Sequence, residues 1–358
     1  MRAYNFSPGP AMLPEEVIQQ IKDEIFNWKN SKISILEVSH RSKEVINMLD
    51  NIKTKLSKLL NIPTNYKILF SHGGAQGQFS AIPMNLAINS NITNYLVTGI
   101  WSEKAAKLAT QYSNVNIINE YLTNAIKEPN TWNINNNADY IYYCPNETVN
   151  GIAFNQIPNI PNHIPLIADM TSSILTEEID INKFALIYAS AQKTMGIAGV
   201  TLIIIREDLL TRKAISHTPN ILNYKIINDM DSLVNTMPVF ALYVMDLMLD
   251  WTIKQGGLSY FSKIHEQQAN LLYSYIDNND FFINTVENKF RSKINIPFSL
   301  KDNNLNKTFL DEATNNNLLN LKGHALVGGI RASFYNSMPL DAAIKLIDFC
   351  KYFVNKYA

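Results

Sequence analysis

The 358 residues are 46% hydrophobic and 17% charged, an ordinary globular composition with length enough for one large and one smaller domain. Lysine plus arginine and aspartate plus glutamate each number 31, so no net field draws the chain to nucleic acid or anionic lipid, and any anion binding must be local. Two cysteines, Cys144 and Cys350, are too few for a disulfide framework and stand in no metal-ligand spacing, which points to a reducing compartment and no metal centre.

The opening stretch MRAYNFSPGP lacks the apolar run of a secretion signal, and nowhere do about eighteen apolar residues run together, so a soluble cytoplasmic chain without a membrane span is expected. From Pro14, PEEVIQQIKDEIFNW repeats apolar residues at helical spacing, with proline and glutamates in the first turn where the macrodipole favours them. Six β-rich runs follow: YKILFSH, NYLVTG, DYIYYCPN, IPLIADMT, FALIYASA and VTLIIIR. Their alternation with helical or turn segments predicts a mostly parallel sheet covered by helices on both faces, an α/β arrangement that places ligands at the carboxyl ends of its strands. A long helix over VFALYVMDLMLDWTIKQ closes this region, and Gly256 and Gly257 break or cap it. Beyond lie a helix from about Leu258 to Ile276, a strand in KINIPFSL, a helix around FLDEATNNNLLN, a strand in GGIRASFY and a last helix LDAAIKLIDFCKYFV. The expected organisation is an N-terminal segment (1–14), a large α/β domain (15–256) and a small C-terminal α+β domain (257–358), with no internal repeat.

Asp169 ends the run PLIADMT and Lys193 follows the run ALIYASAQ, about one short crossover apart, so both side chains can reach one cleft. A carboxylate keeps a pyridine nitrogen protonated, and a lysine amine condenses with an aldehyde: the pair that pyridoxal phosphate requires. The same residues could instead be a turn aspartate and a solvated loop lysine. HGGAQGQF follows a strand and opens a helix, aiming free backbone N–H groups at a phosphate, although glycine pairs there are also common as plain turns. Trp101 follows NYLVTGI at the start of another helix, where an indole can stack on a flat ring or simply be buried.

Over essentially the whole chain these segments resemble the phosphoserine aminotransferases, class V, fold-type I pyridoxal-phosphate enzymes. The resemblance is carried by NFSPGPAMLPEEV, EVSHRSKE, SHGGAQGQF, YYCPNETVNGIA, IADMTSSIL, YASAQKTMGIAGVT, NTMPVFALY and GGIRASFYN, in this order. It implies that Lys193 is the Schiff-base lysine, with Gln192 beside it as a phosphate ligand, and that Asp169 pairs with the pyridine nitrogen. It further implies that Trp101 stacks on the cofactor ring, Thr148 contacts the cofactor, and the backbone at Ala75 and Gln76 holds its phosphate. Asn235 and Thr236 would reach that phosphate from the neighbouring subunit of an obligate homodimer. His40, Arg41, His324 and Arg331 would bind the anionic groups of the substrates, a role suited to arginine's bidentate fork.

The implied reaction moves the amino group of L-glutamate to 3-phosphohydroxypyruvate, giving O-phospho-L-serine and 2-oxoglutarate. A related phosphorylated 2-oxo acid of pyridoxine synthesis, 3-hydroxy-2-oxo-4-phosphooxybutanoate, is a further acceptor by the same analogy. The chain departs from the usual pattern at Gln76, where relatives often carry arginine, and at Ala325, where an arginine usually follows the KGH histidine. Pro8 stands where a serine is common. Competing readings are a cysteine desulfurase, which needs a cysteine on a mobile loop; a dinucleotide dehydrogenase, for which the glycine fingerprint is lacking; an alanine- or serine-glyoxylate aminotransferase; and a degenerate binding relative.

Overall fold

The computed structural model describes residues 2–119, 126 and 131–358. In chain order, β1 (Tyr4–Asn5), α1 (Glu15–Glu24) and α2 (Lys43–Leu60) precede β2 (Tyr66–Ser71), α3 (Gly74–Leu86), β3 (Ile92–Leu96), α4 (Ile100–Ala109) and β4 (Asn114–Asn119). Next come β5 (Ile141–Tyr143), β6 (Asn146–Glu147), β7 (Ile152–Ala153), β8 (Leu166–Asp169), β9 (Leu186–Ser190), β10 (Thr201–Arg206), α5 (Tyr224–Asp229) and α6 (Val239–Lys254). The remainder comprises α7 (Gly257–Asp277), β11 (Phe282–Ile283), β12 (Asn295–Leu300), α8 (Asn306–Asn315), β13 (Leu318–Leu319), β14 (Ile330–Ser333) and α9 (Leu340–Tyr357).

Seven strands form the central sheet in the order β2, β10, β9, β8, β5, β3, β4. β10 runs antiparallel to both its neighbours, and the other pairings are parallel. The sheet is therefore α/β and mostly parallel, as the alternation of β-rich and helical runs requires. Both faces are covered, which is why β8, β9 and β10 read as continuous apolar runs rather than alternating ones. Successive side chains still point to opposite faces. Ala168, Ile187, Ala189, Leu202 and Ile204 pack with α2 and α6, while Ile167, Tyr188 and Ile203 pack with α3, α4 and α5. Ser42 caps α2 by accepting the Val45 amide, and Asn61 ends it at φ 49°, a left-handed stop.

A separate apolar core gathers Phe6 with Leu272 and Ile276 of α7, Phe298 of β12, Phe309 of α8 and Leu346, Phe349 and Phe353 of α9. β11, β12 and β14 form its antiparallel sheet. β1 pairs in parallel with β13, so the amino-terminal strand is held by the carboxyl-terminal part of the chain. α7 joins the two regions, with Leu258 in the core of the large sheet and Leu272 in the smaller one.

One local reading is corrected, and one strand went unread. The segment FLDEATNNNLLN is not one helix: α8 stops at Asn315, Asn317 takes φ 61°, and Leu318–Leu319 becomes β13. Asparagine tolerates that left-handed turn better than most residues, and a run of them ends a helix cheaply. The edge strand β4 was not visible in the sequence, because three of its six residues are asparagine, a residue depleted in strands. Among the described residues it pairs only with β3.

Phe309 is fully buried, with the rings of Phe349 and Phe353 each 5.0 Å from its own. Phe309→Ala should cost about 3–5 kcal/mol of stability, read as a lower urea midpoint, because the rigid aromatic cage cannot collapse into the cavity.

Candidate active site

The parallel strands deliver their carboxyl ends to one place. β8 ends at Asp169, which is 4% exposed and accepts the Thr171 amide at 2.9 Å. Its neighbour β9 ends at Ser190, and three residues later Lys193 turns back so that its Nζ donates to Thr148 Oγ1 at 2.6 Å. The amino-terminal segment closes over this turn. The Ala11 amide donates to the Gln192 carbonyl at 2.8 Å, and the Tyr335 hydroxyl donates to the Pro8 carbonyl at 2.9 Å.

After β2 the chain turns through Gly73 and Gly74, at φ 85° and 61°, straight into α3. Side chains other than glycine rarely adopt this left-handed pair, which brings the helix start close to the sheet edge. The first amides of a helix have no carbonyl four residues back, so those at Gly74, Ala75 and Gln76 are free to receive an anion, with the helix dipole behind them. Ser190 Oγ faces the same turn and is buried without a partner among the described residues.

Trp101 is set by a buried carboxylate that the sequence reading missed. Glu147, fully buried at the end of β6, accepts the Trp101 amide at 3.0 Å, the Ser102 amide at 2.8 Å and the Ser102 hydroxyl at 2.6 Å. It thus takes the place of an N-cap for α4. Gly99 is required by that approach, since a Cβ there would lie 2.5 Å from the Glu147 carboxyl carbon. Burial pushes the Glu147 pKa up, and the Ser102 and Trp101 donors oppose it. The glutamate within CPNET was the signal available, but only the fold shows which helix it caps.

Ala75, Gln76, Trp101, Thr148, Asp169, Gln192 and Lys193 all line one cavity of about 310 Å³, together with Gly73, Gly74 and Ser190. Asn235 and Thr236 do not: both are exposed and lie outside it. Arg41 is exposed as well, with Nη2 3.4 Å from the Leu233 carbonyl, so the His40–Arg41 turn neighbours the segment that carries Asn235 and Thr236. Arg331 on β14 is 5% exposed, and its Nε has no partner among the described residues. Burial lowers the His324 pKa, as do the nearby charges of Arg331 and Lys104. Lys104, one turn beyond Trp101 and with Nζ 4.8 Å over its ring, is a further cation that sequence reasoning did not single out. Ala325 is exposed in the turn after His324.

The model for the class-V aminotransferases matches residues 3–343. The chain belongs to the class-V aminotransferase family. Within it, the chain is 47% identical to a phosphoserine aminotransferase of Buchnera aphidicola subsp. Baizongia pistaciae, over 99% of this chain and 98% of that one. It is 45% identical to the phosphoserine aminotransferase of Acinetobacter baylyi, over the full length of both. The solved pyridoxal-phosphate-bound phosphoserine aminotransferase of Trichomonas vaginalis superposes with a TM-score of 0.94 at 38% identity, over 98% of this chain and 100% of that one. Like the rest of the class-V aminotransferases, this chain is a pyridoxal-phosphate-dependent transaminase.

The cavity fits that cofactor on its own evidence. Free helix amides and an orphaned Ser190 hydroxyl suit a phosphate, Trp101 offers an indole to a flat ring, and Asp169 and Lys193 converge from adjacent strands. Cys144 borders the cavity but is fully buried, with its thiol pushed well up by burial, and Cys350 is buried within α9. No group of acidic, histidine or cysteine side chains among the described residues could hold a metal ion.

Glu147→Gln should cost about 1.5–3 kcal/mol, the worth of hydrogen bonds to a charged group, and should loosen the start of α4. Thermal unfolding together with the cofactor's dissociation constant checks this. A stability loss with unaltered cofactor binding would show that Trp101 does not depend on this cap.

Proposed function

We propose that the chain is a phosphoserine aminotransferase that transfers the amino group of L-glutamate to 3-phosphohydroxypyruvate, yielding O-phospho-L-serine and 2-oxoglutarate. The observation that carries this reading is the convergence of Lys193, Asp169, Trp101 and the start of α3 on one cavity, in a chain that is 45–47% identical to phosphoserine aminotransferases along its whole length.

When bound, pyridoxal phosphate supplies an aldehyde for the amino group and an electron-withdrawing ring that stabilises negative charge on the substrate α-carbon. The amides of Gly74, Ala75 and Gln76, with Ser190 and Gln192, would hold its phosphate, and Trp101 would cover its ring. Asp169, ionised, would hold a proton on the pyridine nitrogen. Lys193 Nζ would be the amine that holds the cofactor's aldehyde carbon, and it would hold and move a proton at the substrate α-carbon. Thr148 orients that amine through its 2.6 Å hydrogen bond.

Arg331 is the group suited to the α-carboxylate common to both substrates: its buried Nε lacks a partner among the described residues, so a bound anion would satisfy it. His324, with Lys104 beside it, suits the distal carboxylate or phosphate. We further propose a cytoplasmic homodimer in which Asn235 and Thr236 reach the phosphate, and His40 and Arg41 the substrate, in the partner's cavity. The exposure of Asn235, Thr236 and Arg41, and the contact of Arg41 with the Leu233 carbonyl, support this grouping. No helix among the described residues is long and apolar enough to cross a membrane. The same anion groups would accept 3-hydroxy-2-oxo-4-phosphooxybutanoate, the acceptor of pyridoxine synthesis.

Transamination from glutamate, assayed with 3-phosphohydroxypyruvate and with unphosphorylated acceptors, tests the assignment. A clear preference for the phosphorylated acid is expected, and equal or better turnover of glyoxylate would overturn it. Lys193→Ala should lower kcat by at least about a thousandfold, since positioned proton transfer alone contributes up to about 10⁴. Ala325→Arg should lower KM for 3-phosphohydroxypyruvate by about ten- to a hundredfold, the worth of one added hydrogen bond to a charged group. An unchanged KM would show that His324 and its neighbours already saturate phosphate recognition.

A further inference from the structure

Four tyrosines, Tyr95, Tyr140, Tyr142 and Tyr188, project into the core beneath α3 and α4, and all four are fully buried or nearly so. A hydroxyl in such a core is costly unless it is hydrogen-bonded, and phenylalanine would fill the same volume without that cost. Tyr95 and Tyr140 satisfy each other at 2.8 Å. Tyr142 and Tyr188 also lie 2.8 Å apart, but this second pair does not end on itself. In the β8–β9 ladder Tyr188 stands directly beside Asp169, so both side chains leave the sheet on the same face. Burial raises the Asp169 pKa, and the Thr171 donors, the Tyr188 hydroxyl and the Lys193 charge act in the opposite direction.

We propose that Tyr188, backed by Tyr142, is a positioning residue for the reaction: a two-hydroxyl relay behind Asp169 that holds its carboxylate ionised and aimed at the pyridine nitrogen. The directions of the hydrogen bonds follow from the acceptor. An ionised carboxylate can only accept, so Tyr188 donates to Asp169, and its oxygen is then left to accept from Tyr142. Each donation strengthens the next in a medium of low dielectric, and the relay points its positive ends at the Asp169 carboxylate. The other groups that act on Asp169 are the Thr171 hydroxyl and amide and the Lys193 charge, which favour ionisation, and Glu147 and Cys144, which oppose it if charged. Both variants below leave all of these in place, so a change in Asp169 is assignable to the relay.

This inference rests on Asp169 being the partner of the pyridine nitrogen, and the test separates the two. Apo-protein is titrated with pyridoxal phosphate by fluorescence quenching across pH, for the wild type, Tyr188→Phe, Tyr142→Phe and Asp169→Asn. Binding that needs ionised Asp169 weakens as pH falls through the pKa of that group. In Tyr188→Phe this weakening should begin one to two pH units higher, a ten- to hundredfold change in the protonation equilibrium. Tyr142→Phe should shift it in the same direction by less, and kcat should show a parallel rise of its acidic limb while KM for glutamate changes little. Retained thermal unfolding cooperativity in each variant separates this from a merely structural loss, which would weaken binding equally at every pH. If Tyr188→Phe follows the wild-type pH dependence while Asp169→Asn abolishes it, the relay is disproved and the site stands. If Asp169→Asn keeps the wild-type dependence, the role of Asp169 falls and the relay with it.

Discussion

The pairing of β8 with β9 is the constraint from which the site follows. Because the two strands run parallel and side by side, their carboxyl ends open on the same side of the sheet. One end carries a carboxylate at Asp169 and the other leads, three residues later, to an amine at Lys193. β2, β3 and β5 point the same way and add the start of α3, Trp101 and Thr148 to the same opening. Parallel topology thus does the converging, and loops only a few residues long need to carry the chemistry. The antiparallel β10 contributes no residue to the cavity; it bridges β2 to β9 and sets their spacing.

Burying carboxyl groups behind the site raises an electrostatic problem, solved twice by the same means. Asp169 and Glu147 are both fully enclosed carboxyl groups, and burial alone would neutralise them. Each is met by backbone donors: the Thr171 amide for the first, and the start of α4 for the second. The donors that oppose burial at Glu147 also fix where α4 begins, so one buried carboxyl determines the position of the indole that lines the cavity. The polar network behind the site extends this fixing to the smaller core. Asn146 donates to Ser172 and to Asn295 on β12, and Asn295 donates to Tyr335, whose hydroxyl bonds the amino-terminal segment.

Much of this was legible in the residues. The six β-rich runs mark six strands of the central sheet because parallel strands buried on both faces must be apolar throughout, and HGGAQGQF announces a strand-to-helix turn through its paired glycines. Asp169 and Lys193 could be placed in one cleft because each follows such a run. What stayed hidden depends on contacts remote in sequence. Nothing local says that Glu147 caps α4, that Tyr188 lies beside Asp169, or that Leu318–Leu319 pairs with Tyr4–Asn5. The asparagine-rich edge strand β4 was lost to weak propensity, and tertiary pairing overrode it. His40, Arg41, Asn235 and Thr236 form a different class: the fold of one chain leaves them out of the cavity lining, as it does His324 and Arg331.

The attachment of the cofactor to Lys193 is the claim that decides the account most directly. Holoenzyme reduced with borohydride and digested should yield one pyridoxyl-bearing peptide, with the added mass on Lys193 in the sequence SAQKTMGIAG. The same label on another lysine, or no label in a protein that retains the cofactor's visible absorption, would contradict it.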